Sequence, residues 1–112
     1  MQVPAGTVEA GEGLESALLR ELQEESGIRE INRPAPLGSY EFDMRAFGRD
    51  ELQRRHVFQV APTGHLPDSW DHTERNASDG GEYLFRFEWV ELTEAERLLP
   101  EGQRRLLHLV NR

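Results

Sequence analysis

Three carboxylates stand at Glu21, Glu24 and Glu25, a spacing of i, i+3, i+4 that sets side chains next to one another on a helix. Like charges that close repel, and they destabilise a bare helix. A bound hard cation reverses that effect. Mg²⁺ takes oxygen ligands in an octahedron, usually only one or two of them carboxylates, and leaves the remaining positions to water and substrate phosphate. A carboxylate cluster on one helix is therefore a template for Mg²⁺ with a phosphate ester, rather than a closed structural cage. Arg20 adjoins the cluster, and its guanidinium can form a fork to a carboxylate and fix its orientation. The bland alternative is a solvated acidic face, which is what most glutamate-rich helices carry.

The element that must hold these residues is legible. Leu14 to Ser26 consists mostly of Leu, Glu, Ala, Arg and Gln, all good helix formers. Gly13 can stand at the N-cap, and Gly27 supplies a left-handed stop. Leu18 and Leu22, four apart, give an apolar stripe with Leu19 at its edge. The preceding loop, Pro4-Ala5-Gly6 through Ala10-Gly11, would bring backbone close to the helix start and its positive dipole end.

Taken together from Gly6 to Ile28, the pattern is G-x5-E-x7-R-E-U-x-E-E-x-G-U, with U aliphatic. It resembles the signature box of the Nudix hydrolases, with every specified position filled. A chance match is on the order of one in a billion per starting position at ordinary residue frequencies. The resemblance implies an α/β fold, a Nudix-type α/β/α sandwich with a mixed sheet, in one domain over residues 1–112. It implies hydrolysis of a diphosphate linkage in a nucleoside diphosphate derivative, with Mg²⁺ or Mn²⁺ neutralising the phosphates. Carried over, Glu24 and Glu25 are the main metal ligands, and Glu21 is a further ligand or the base. Arg20 orients a glutamate, Glu12 supports the loop or the metal through water, and Gly6 and Gly27 serve the backbone. The alternative within the fold is a nucleotide-binding module that does not cleave. A further rival is an acidic cation-binding or interaction domain that mimics the box.

Composition bounds the rest. The 112 residues carry a net charge of −8, with thirteen arginines, no lysine and no cysteine. That balance argues against sequence-independent binding to nucleic acid, which needs a basic patch. Without cysteine there is no disulfide framework, thiolate zinc site or catalytic thiol. No apolar run approaches a membrane span and no signal peptide precedes the motif, so the expected location is the cytoplasm. Only MQVPA stands before the motif, where the resemblance implies several tens of residues of strand. An N-terminally short sandwich is the expectation, and three explanations compete for it: a mis-assigned start, a deliberately trimmed chain, or a short chain whose open sheet edge a homodimer covers.

Beyond the motif, Arg33-Pro34-Ala35-Pro36 cannot continue a helix. Leu37–Met44 alternates, with Tyr40, Phe42 and Met44 on one face, and should pair with Leu52–Ala61 as a hairpin across the turn at Ala46–Asp50. Pro62–Glu82 reads as one long polar loop. Family members often place an extra acidic ligand or the base on such a loop, which makes Glu74 the first candidate and Glu82 the second. Trp70 is either a stacking surface for a nucleobase or an anchor on the core, and His72 reads as a surface imidazole. Tyr83–Leu92 is a strand with Tyr83, Phe85, Phe87 and Trp89 facing the core. Its other face carries Arg86 and Glu88, which either line the substrate cleft or pair across strands. Thr93-Glu94-Ala95-Glu96 is a capping box for a helix ending at Pro100. A final helix from Glu101, with Gln103, Leu106, Leu107 and Val110 at helical spacing, should pack opposite the motif helix.

Overall fold

The computed structural model describes residues 1–75 and 79–110. The motif helix, α1, spans Leu14–Ser26, with Gly13 at its N-cap and Gly27 in the left-handed region at φ 80°. The Gly27 amide donates to the Gln23 carbonyl at 2.9 Å and closes the helix. Strands β1 (Ala35–Asp43) and β2 (Leu52–Gln59) follow, then β3 (Ser69–Glu74), β4 (Tyr83–Glu88), α2 (Leu92–Leu98) and α3 (Glu101–Arg104). No helix among the described residues is long and apolar enough to cross a membrane.

The α/β class holds, but the strand pairing differs from one mixed sheet. Among the described residues the strands form two antiparallel ribbons, β1–β2 and β3–β4. Each strand pairs with its neighbour in sequence across a connection too short for a parallel crossover, which needs a dozen or more residues.

The β1–β2 hairpin forms where the alternation predicts it, around a 3₁₀ turn at Met44–Phe47 that Asp43 caps through the Arg45 amide. Its register sets Tyr40 against Arg55 and Phe42 against Gln53, and the Arg55 guanidinium lies 3.8 Å above the Phe42 ring. Leu52, at the start of β2, is 68% exposed.

Several readings of the C-terminal half need correction. Of the aromatic row expected in the core, Tyr83 and Trp89 are exposed, and the strand ends at Glu88. The expected loop between Pro62 and Glu82 contains β3, which pairs with β4 from Ser69↔Glu88 to Glu74↔Tyr83; residues 76–78 of that stretch lie outside the described ones. The expected long final helix stops at Arg104 and is followed by a 3₁₀ turn at Leu107–Leu109. The break falls at Leu106, whose φ of −104° and ψ of 7° leave the helical region. Helix α2 begins one residue before the capping box, with Glu91 at the N-cap, so Thr93 lies inside the first turn and does not cap.

The two ribbons take different helices. α1 lies on β3–β4. The C-terminal segment lies on β1, where a Cβ at Gly102 would stand 3.4 Å from the Tyr40 hydroxyl and one at Gly38 would stand 3.4 Å from Leu106. A short backbone pairing of Ile31 with Pro62 joins the exit of α1 to the chain leaving β2. Among the described residues the buried apolar ones are few, Ala17, Leu22, Ala95 and Leu99, and Glu25 and Ser26 are buried with them.

Candidate active site

The site is assembled on the charged stripe of α1. Arg20 is its hub: Nε and Nη2 donate to the two Glu12 oxygens at 2.8 and 2.9 Å, the bidentate fork expected of guanidinium and carboxylate. Nη1 donates to Glu21 at 2.8 Å and to Glu24 at 3.3 Å, while Nη2 also reaches the Thr7 carbonyl at 2.9 Å. One side chain therefore fixes two glutamates of the helix and the loop before it. The Arg20 hydrogen bond, helped by the Glu9 amide, holds the Glu12 carboxyl down at about 2, and Arg20 itself is pushed above its ordinary value mainly by the Glu12 bond.

The loop comes close enough to need a residue without a side chain. A Cβ at Gly6 would overlap the Glu21 side chain, so the glycine is what lets backbone and carboxylate share that space. One residue earlier, the Ala5 amide donates to Glu25 at 3.2 Å.

Glu21 and Glu24 meet a third carboxylate from a different element. Glu74, the last residue of β3, offers an oxygen that lies with theirs inside a 4.8 Å circle, and all three residues are half-buried. Burial, then the charges of Glu21, Glu24 and Asp79, push the Glu74 carboxyl up, with His72 opposing. Glu25 lies outside this converging triple. Its residue is buried, and that burial pushes its carboxyl up to about 7; the Ala5 hydrogen bond opposes the shift, and the charges of Glu74 and Glu21 add to it. Such crowding of negative charge is costly in a bare protein. The donor set, carboxylate oxygens converging at a half-buried spot, fits a hard cation such as Mg²⁺ or Mn²⁺.

A model of the NUDIX domain matches residues 1–110. The chain belongs to the Nudix family. No curated protein and no solved structure gives a significant match. Nudix membership supports a hydrolase acting on a phosphorus-containing anhydride, with a divalent metal ion in general use across the family and a small molecule as substrate.

The remaining sequence candidates take other places. Glu82 is exposed and pairs with Arg75 at 3.7 Å, not with the glutamate cluster. Arg86 pairs across the ribbon with Asp71 at 3.6 Å, on the face opposite Trp70, His72 and Glu74, so of the two readings offered for it the cross-strand pair is the one formed. Trp70 is anchored: its indole donates to the Ser26 carbonyl at 2.8 Å and stacks on Phe87 with centroids 5.3 Å apart. His72 is half-buried rather than a surface imidazole, with Nε2 3.1 Å from the Glu24 carbonyl. A carbonyl only accepts, so Nε2 carries the proton. Ser26 carries no sequence signal beyond its place at the end of the motif helix. It is 2% exposed, donates to the Leu22 carbonyl at 2.6 Å and accepts the Ile28 amide at 3.2 Å, tying off the end of the motif helix.

Proposed function

We propose that this chain hydrolyses a diphosphate linkage in a nucleoside diphosphate derivative, with Mg²⁺ or Mn²⁺. The observation that carries the reading is the meeting of Glu21 and Glu24 with Glu74, from two separate elements, inside 4.8 Å. These three residues hold the cation. When bound, it neutralises charge on the phosphates and lowers the barrier to attack by water at phosphorus.

The protein's own part is orientation. Arg20 locks Glu21 and Glu24 in one arrangement, and Glu12 locks Arg20 through its fork. Gly6 leaves Glu21 the room to point where it does. Glu25 secures the Ala5 amide and with it the loop in front of the helix, and it adjoins the three ligands as a fourth carboxylate. The acidic surface as a whole, at net charge −8, repels a phosphate-rich substrate, so binding depends on the cation.

The test is metal-dependent release of phosphate or monophosphate from a panel of nucleoside diphosphate compounds, with Glu25→Gln and Glu74→Gln alongside. Turnover that needs Mg²⁺ or Mn²⁺ and collapses in both variants is the expected result. A folded wild-type protein that is silent across the panel would overturn the hydrolase reading in favour of a nucleotide-binding module.

A further inference from the structure

The three carboxylates come from two elements, so the site depends on how β3 is set against α1. Residues 70, 72 and 74 share one face of β3, because side chains alternate along a strand. As the strand advances along that face it meets the helix in reverse order. Trp70 reaches the carbonyl of Ser26, His72 the carbonyl of Glu24, and Glu74 the carboxylates of Glu21 and Glu24. The first two meetings are alike in kind. In each, a ring N–H donates to a main-chain carbonyl in the last turn of the helix, at 2.8 and 3.1 Å.

Those carbonyls are among the last four of α1, which have no partner inside the helix. A backbone acceptor cannot swing aside as a side chain can, so each bond fixes a point of the strand to the helix axis. Gly27 makes the second bond possible as well as ending the helix. A Cβ there would lie 2.9 Å from Nδ1 of His72, inside the space the imidazole needs. A slip of β3 by one residue would turn Glu74 to the outer face, where Asp71 and Arg86 pair.

We propose that Trp70 and His72 are positioning residues: their ring N–H groups, bonded to the Ser26 and Glu24 carbonyls, set the register of β3 on α1 and so carry Glu74 to Glu21 and Glu24. The inference rests on the cation site described above. Neither ring is placed on the cation; each acts through the strand.

The experiment is direct titration of the protein with Mn²⁺, read by the loss of the free-ion electron paramagnetic resonance signal, with thermal melting of every variant. Wild type binds. His72→Leu removes the donor and should weaken Mn²⁺ binding roughly tenfold or more, the scale on which outer partners of a metal site act. His72→Gln, whose amide N–H can stand where Nε2 stands, should recover most of the affinity. Trp70→Phe keeps a ring on Phe87 but loses the N–H, and should also bind more weakly. Asp71→Asn breaks the ion pair on the outer face of the same strand and should bind as wild type does. Unchanged affinity in His72→Leu and Trp70→Phe would overturn the inference, and so would a His72→Gln protein no better than His72→Leu. If His72→Leu does not fold, Trp70→Phe decides: weaker binding with intact melting supports the register role, and wild-type binding sinks it. A wild-type protein that takes up no Mn²⁺ would overturn the cation site itself and this inference with it, an outcome separate from wild-type binding with indifferent variants.

Discussion

On one side of the molecule, β3–β4 meets α1 through ring donors aimed at helix-end carbonyls. On the other, β1–β2 meets the C-terminal segment through close approaches at Gly102 and Gly38 and through Arg105 laid over the Tyr40 ring. The first contact is directional: moving the strand by one residue breaks two hydrogen bonds and removes a carboxylate from the cluster. The second is tolerant. Arg105 over Tyr40, like Arg55 over Phe42 within the hairpin itself, is an attraction between a flexible cation and a ring face, and it survives small shifts. The contrast teaches that the molecule concentrates its geometric demands where the carboxylates must converge and relaxes them elsewhere.

Substitutions can break or sharpen that contrast. The largest effect should come from Gly6→Ala, which displaces the Glu21 carboxylate. A misplacement of that kind costs about 100-fold in kcat/KM, with melting changed little because a side chain, not backbone, gives way. Gly27→Ala forces an L-residue to φ 80° and crowds His72, so it should lower stability by about 1–2 kcal/mol in chemical denaturation and weaken metal binding as well. On the tolerant side, Arg55→Ala should cost about 0.5–1 kcal/mol and leave Mn²⁺ affinity as it was; a matching loss of affinity would erase the distinction between the ribbons.

Acid offers a subtler comparison. Glu12 is held at about 2 against an ordinary 4.5, so its contribution to stability is fully present above pH 4.5 and is lost as the pH falls towards 2. Stability of Glu12→Gln measured across that window should therefore fall less steeply than that of wild type. Parallel curves would show that the Arg20 clamp does not stabilise the fold. At the bottom of the scale, Leu52→Ser at a 68% exposed position should stay within about 0.5 kcal/mol of wild type.

Legibility in the sequence follows the same divide, with an inversion. The tolerant hairpin was easy to see, because Tyr40 and Phe42 alternate with polar residues as a half-buried strand should. The helix was also plain, down to its glycine at each end. Strand β3 was not, although it carries Glu74. In Ser69-Trp70-Asp71-His72-Thr73-Glu74 the inward residues are an indole, an imidazole and a carboxylate, so polarity does not alternate and the stretch reads as loop. The two ring donors face inward because helix carbonyls wait for them, and Glu74 shares their face of the strand. Glu74 itself was reachable as a candidate, through the resemblance, but its convergence with Glu21 and Glu24 was not. Period-two spacing of Trp70, His72 and Glu74 was the signal available. Glu82 and Arg86 show the limit from the other side: charged residues near a candidate site were equally eligible in the sequence, and in the fold they found exposed partners in Arg75 and Asp71. The early end of the last helix was hidden too, since the leucines after Arg105 keep helical spacing whether or not the backbone does.

The chain before α1 makes few bonds, and they do not all go to the same neighbour. The Val3 amide donates to Gln103 on α3, the Ala5 amide to Glu25 on α1, and the Thr7 carbonyl accepts from Arg20. Helix α3 belongs to the tolerant side and α1 to the exacting one, so this strap is stitched to both halves within five residues. Its amides can serve as built-in reporters in hydrogen exchange. Slow exchange at Val3 registers the strap's seating on α3, and slow exchange at Ala5 registers its seating on α1. If the halves loosen independently, the two amides would lose protection at different denaturant concentrations; if the strap binds them into one cooperative unit, they would lose it together.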